Sequence, residues 1–291
     1  MGAIFFFLLY LLAWLPLPVL YLMSDLLWPV AYYLLRYRRK MTRKNLLHSF
    51  PEKSETERKK IERKYYRHMC DLVVEAIWNL RATPRQILRH YQVKNRELVD
   101  KYYEKGQSVV LMSAHYNNWE FMVTSLNMQF RHHGIGVGKP LDDRCFGAFL
   151  TKKRTRFGTE VVDQTNVRPT MKYYNDHHVP CAYMMLSDQS PSNPNKCYWT
   201  TFLGQDTGFL FGAERFARKY CYPVLFYNVW KVRRGYYELI FQEISSQPET
   251  LPEGKITERY VRWLEETINH APAYWLWSHR RWKMSKSVQA N

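Results

Sequence analysis

Apolar residues run without a charge over residues 4–22, dense in Phe, Leu and Trp. Crossing a bilayer takes about 20 such residues, so the run is just long enough. Pro16 and Pro18 remove backbone donors within it and predict a kink. Asp25 opens a second apolar segment, residues 26–35, whose Trp28, Tyr32 and Tyr33 suit a membrane interface. From residue 42 to about 89 the pattern turns helical. Ser54 and Glu57 form a capping box, Ile61, Tyr65, Met69, Leu72, Val73 and Ile77 recur at helical spacing, and Pro84 is expected to close the segment.

Beyond that point short apolar strands alternate with helices. Residues 109–112, Val-Val-Leu-Met, read as a buried strand; Asn117 and Asn118 are good helix caps, and 119–123 continue as an apolar helical run. Strands are expected again at 134–139, 160–162 and 179–186, and at 223–229 with 236–241, the last two turned at Arg234-Gly235. Helices are expected over 146–156, ended by Gly158, over 212–218 and over 256–270, before a closing segment at 273–283 and an irregular tail. Alternation of this kind predicts an α/β fold. The glycines of 134–138 do not make a phosphate loop. A Walker A motif needs Gly at 133 and Ser or Thr at 140, where this chain has His133 and Pro140.

With 291 residues, the chain has room for one large domain and an appendage. Its 43 Lys and Arg against 26 Asp and Glu give a formal charge of +17, which favours polyanions: nucleic acid, anionic lipid, phosphorylated substrates or an acidic carrier protein. Part of that charge has a defined place. Arg36, Arg38, Arg39, Lys40, Arg43 and Lys44 follow the apolar segments, marking the cytoplasmic side, and near anionic lipid each is worth roughly 1 kcal/mol. Residues 1–35 therefore read as a membrane anchor, spanning or re-entrant, and 36–291 as a domain on the cytoplasmic face. The five cysteines are scattered and lack a Cys-x-x-Cys pair, which argues against a zinc site or a disulfide framework.

The chemistry centres on His115 and Glu120. His115 falls at the carboxyl end of a strand, where open α/β sheets place ligands, and Glu120 in the first turn of the next helix. Across that turn the carboxylate can hold the imidazole and favour the imidazolium formed when His115 takes a proton. The same residues also allow a structural histidine and an acid that complements the helix dipole.

Several words in order carry a resemblance: His115-x4-Glu120, Gly134-Ile135-Gly136-Val137, Arg154 with Arg156, Asp188-Gln189, Phe202-Leu203-Gly204, and Trp277 with His279-Arg280-Arg281 and Lys283. Together they resemble the bacterial lipid A late acyltransferases, a branch of the glycerolipid-type acyltransferases. The resemblance implies a central mixed β-sheet flanked by helices, with a hydrophobic membrane-anchoring helical segment at the amino terminus. It implies transfer of a fatty acyl chain from acyl carrier protein to a hydroxyl of a lipid A precursor in the inner membrane, with no cofactor or metal. His115 and Glu120 would be catalytic, and Arg154 and Arg156 would serve the oxyanion or the acyl donor. Asp188, Gln189, Arg280 and Arg281 would contact substrate, although turn and clamp roles fit them equally. Trp275 stands where the family commonly has Tyr, which leaves the acceptor open.

Other readings stay in view. Another lipid acceptor, a lysophospholipid or an aminolipid, needs the same residues. A nucleic-acid-binding protein would share the basic and aromatic composition but would not need the anchor, and no nucleic-acid recognition motif stands out. A membrane scaffold would not need His115.

Overall fold

The computed structural model describes residues 2–139 and 143–284. Pro140 and the expected irregular tail lie outside them, apart from Met284. Two amino-terminal helices replace the single kinked one expected over 4–22. They are α1 (Gly2–Leu12) and α2 (Leu17–Pro29), separated where Pro16 caps the second and Pro18 enters its first turn. Without a break α2 runs into a π-helical turn, Val30–Leu34. Leu17–Leu34 has a mean hydropathy of 1.3 and is long and apolar enough to cross a membrane. One face of α2 is fastened to the protein by Tyr21, Ser24 and Asp25, while Leu22, Leu26 and Leu27 on the other are exposed.

Next come α3 (Arg39–Ser49), α4 (Glu55–Asn79) and α5 (Pro84–His90). The Ser54–Glu57 capping box forms as expected, with Glu57 Oε2 accepting the Ser54 N–H at 2.7 Å. Pro84 does not close a helix. It opens α5 behind a second box made by Thr83 and Gln86, a first-turn position where its missing N–H costs nothing.

The remaining elements are β1 (Tyr91–Val93), α6 (Glu97–Tyr103), β2 (Val109–Ser113), α7 (Trp119–Gln129), β3 (His133–Gly138) and α8 (Arg144–Arg154), then β4 (Glu160–Asp163), α9 (Val167–Asp176) and β5 (Cys181–Leu186). They continue as a two-stranded hairpin, β6 (Cys197–Phe202) with β7 (Gln205–Leu210), then α10 (Gly212–Tyr220), β8 (Val224–Arg233), β9 (Tyr236–Ser245) and α11 (Lys255–His270). Seven strands form one mixed sheet in the order β1-β9-β8-β2-β5-β3-β4, flanked by helices. Every pairing is parallel except β8 with β9.

β2 lies inside this sheet with all five residues buried, which explains its unbroken apolar run. Its register with β5 sets up everything that follows. Ser113 pairs with Leu186, so the two strands end level and His115 and Asp188 both leave the sheet two residues later.

Candidate active site

The loop after β2 is pinned from three sides. Asn117 takes a left-handed conformation (φ 52°), which Asn tolerates better than most residues. Its side-chain amide donates to the Val229 carbonyl at 2.6 Å, and its backbone N–H to Tyr274 at 3.0 Å. Only Asn118 caps α7, its Oδ1 accepting the Phe121 N–H at 2.9 Å. The two asparagines thus have different tasks, one bending the chain and one starting the helix.

His115 is held by Asp188, not by Glu120. Nδ1 lies 2.7 Å from Asp188 Oδ1, and the His115 backbone N–H donates to Oδ2 at 3.0 Å. The Trp275 indole N–H donates to the same Oδ2 at 2.9 Å. Burial alone would push this carboxyl up; the His115 ring and the three hydrogen bonds hold it below the usual carboxylate range instead. A carboxylate there makes Nδ1 the proton-bearing nitrogen and leaves Nε2 with its lone pair. Nε2 accepts from the Gln189 amide at 3.1 Å. His115 and Gln189 line a cleft of about 730 Å³, together with Lys139, Arg154, Arg168 and Lys196.

Glu120 sits in the first turn of α7 and is gripped by Arg154, the last residue of α8, through Nε at 2.9 Å and Nη2 at 2.5 Å. Both its oxygens are therefore occupied by a guanidinium, and the expected hydrogen bond to the His115 ring is replaced by this pair. A second, apolar pocket of about 260 Å³ opens beside Glu120, lined by Met69, Leu72, Val73 and Leu276.

Two other expected site residues, Arg156 for the oxyanion or acyl donor and Arg281 for substrate, bond to the protein's own groups. Arg156 donates to the carbonyls of Lys153, Asn79 and Ala82, and burial lowers its pKa to about 10. Arg281 is 2% exposed, lies over the Phe209 ring and donates to the Gly208 carbonyl at 2.7 Å. Arg156 meets the Asn79 side-chain oxygen as well, at 3.2 Å, so both cations are engaged largely by the protein's own carbonyls. Arg280 is exposed on the surface. Ser113 donates its hydroxyl to the Tyr227 carbonyl at 2.9 Å and is 3% exposed, so it is not presented as a nucleophile.

Trp275 and His279 escaped the expected site. A buried indole needs an acceptor for its N–H, and that requirement was the available signal for Trp275. His279 accepts the Ser190 N–H at 3.3 Å, and burial lowers its pKa to about 4. His68, buried on α4, is lowered as well, by burial and then by Lys231 and Lys64. Such groups stay neutral in the fold while the unfolded chain protonates below its ordinary value of about 6.5. The stability they contribute is therefore present above that value and is lost as pH falls toward the depressed folded value. The buried Glu75 carboxyl, pushed up by burial, works in the opposite direction. His68→Gln should accordingly lose less melting temperature than the parent between about pH 7 and pH 5. An equal or larger loss in thermal melts would contradict this assignment.

Residues 2–284 match the family of bacterial lipid A biosynthesis acyltransferases. The lipid A biosynthesis lauroyltransferase of Escherichia coli (strain K12) is 25% identical, in an alignment covering 94% of this chain and 92% of that protein. The match runs through the anchor-like helices, the His115 loop, the Asp188 strand end and the Trp275 segment, and on that extent the chain belongs to the bacterial lipid A biosynthesis acyltransferase family.

Proposed function

We propose that this protein moves a fatty acyl chain from an acyl-carrier-protein thioester to a hydroxyl of a lipid A precursor, with His115 as general base. The carrying observation is the His115 ring, fixed by a buried carboxylate at Nδ1 with its other nitrogen in a cation-lined cleft. A hydroxyl is a poor nucleophile at neutral pH, so Nε2 takes its proton as the oxygen attacks the thioester carbon. The new C–O bond forms, the C–S bond breaks, and the proton passes from His115 to the departing thiolate. No acyl-enzyme is required, in keeping with the buried Ser113. Arg154 serves the oxyanion with the part of its guanidinium not given to Glu120, and Glu120 acts by holding Arg154. Gln189 contacts the attacking hydroxyl. Lys139, Arg168 and Lys196 suit the phosphates of a lipid A precursor, and the apolar pocket beside Glu120 suits an alkyl chain.

The setting we propose is the cytoplasmic face of the inner membrane, with residues 1–35 as the anchor and the rest as the catalytic domain. Because α2 is fastened to α4 along one face and apolar on the other, it fits an anchor lying in the membrane surface better than a free span. The exposed ammonium groups of Lys40 and Lys44 are then near anionic lipid.

Purified protein given acyl carrier protein thioester and lipid A precursor should yield an acceptor heavier by one acyl chain in mass spectrometry. Acylation of a lysophospholipid or aminolipid instead would overturn the choice of acceptor. Docking of the acidic carrier on the basic end of α8, near Lys152 and Lys153, predicts an apparent donor affinity that weakens as salt rises. Affinity that does not change with salt, or full activity with acyl-CoA alone, would remove the carrier from the proposal.

A further inference from the structure

Glu75 on α4 is 0% exposed, and its carboxylate accepts three hydrogen bonds. The Tyr21 hydroxyl donates to Oε1 at 2.7 Å; the Tyr237 hydroxyl and the Asn118 amide donate to Oε2 at 2.8 and 2.6 Å. Burying a carboxylate is costly unless its lone pairs are matched, and here each donor comes from a different part of the protein. Tyr21 belongs to α2, Tyr237 to β9, and Asn118 to the loop that carries His115.

The Asn118 amide is the key link. Its Nδ2 faces Glu75 and its Oδ1 receives the Phe121 N–H in the first turn of α7, so the carboxylate decides which way the amide points. That choice sets the start of α7, whose first turn bears Glu120 and hence Arg154. Tyr21 connects the same carboxylate to the amino-terminal helix, and Tyr21 in turn packs against Gly235, where the positive φ of 78° and the closeness of the Tyr21 hydroxyl leave no room for a side chain.

We infer that Glu75 is a positioning residue for the transfer reaction, setting the start of α7 through Asn118 and making that setting depend on the docked amino-terminal helix through Tyr21. This rests on the reading of His115 and Arg154 as reacting groups.

A polarity swap tests it on the full chain. Asn118→Asp keeps an equally good helix cap but sets a second carboxylate against Glu75. We expect kcat to fall roughly 10²-fold, the scale of a small misplacement of reacting groups, with the donor KM little changed. Adding Glu75→Gln restores a donor facing the new acceptor; the Tyr237 hydroxyl can donate or accept. The double variant should recover to within about fivefold of the parent kcat, on the premise that the misplacement is undone. Tyr21→Phe removes the link between Glu75 and the amino-terminal helix and should lower kcat several-fold, assayed well below a melting temperature that itself falls because one carboxylate oxygen loses its donor.

Asn118→Asp at parental kcat, or a double variant no better than the single one, would overturn the role of Glu75. Parental kcat in Tyr21→Phe would overturn the link to the amino-terminal helix. His115→Ala, assayed beside them, separates the two levels. If it stays active the site reading has failed; if it is inactive and the swap has no effect, the inference alone has failed.

Discussion

Replacing His115 by alanine is expected to lower acyl transfer by on the order of 10²–10⁴, the usual worth of a positioned base, while donor binding changes little. The partners of that loss follow from the geometry. Groups that act as a unit are not additive. Asp188→Ala added to His115→Ala should therefore cost almost nothing more, because Asp188 acts through the ring. Glu120→Ala should instead be silent on top of Arg154→Ala, since its carboxylate is bound to that guanidinium. Each variant needs a melting curve, because Glu120 also complements the start of α7 by up to about 1 kcal/mol. Folded His115→Ala protein working at the parental rate would sink the mechanism.

The second large effect is expected from Asp188→Asn, a change of one atom. Asp188 Oδ2 accepts from two N–H donors, the His115 backbone and the Trp275 indole. An amide at this position must turn its single oxygen toward them and so present its NH₂ to His115 Nδ1. That nitrogen then has to accept, which moves the ring proton to Nε2. The nitrogen facing the cleft and Gln189 can no longer take a proton. We expect a loss close to that of His115→Ala, about 10²–10⁴, in a protein of near-parental stability. A rate within a few-fold of the parent would show that the ring is not held in this tautomer.

Much of this fold is legible in the chain itself. Unbroken apolar runs marked β2 and β5, the asparagines marked the start of α7, and the strand end marked His115. The partner of His115 was legible only in part. Asp188 follows a strand, but its position beside β2 depends on sheet order, which periodicity does not encode. Glu120 is the carboxylate near His115 in sequence; α7 instead brings it to Arg154, which lies 34 residues further on. Arg156 and Arg281 illustrate a related difficulty. A cation reads as available for a ligand until burial and carbonyl partners are visible. The β6–β7 hairpin was missed because Gln205, Asp206, Thr207 and Gly208 break the apolar alternation of a strand, and α5 because Pro84 serves equally as a stop or a start.

The hydrogen bond from Trp275 to Asp188 has a consequence for the order of events during synthesis. His115 is made early, its carboxylate 73 residues later, and the indole that fixes the carboxylate 87 residues after that. The end of the described chain is also tied to its beginning, for Asn45 donates to the Trp277 and His279 carbonyls and Tyr65 to the Ser278 hydroxyl. Contacts so distant in sequence form late and slowly. A ribosome-bound or prematurely ended chain can therefore settle its first helices and most of its strands before its base is set. An ordered base therefore requires the last aromatic segment, whose Trp275 indole holds the Asp188 carboxylate.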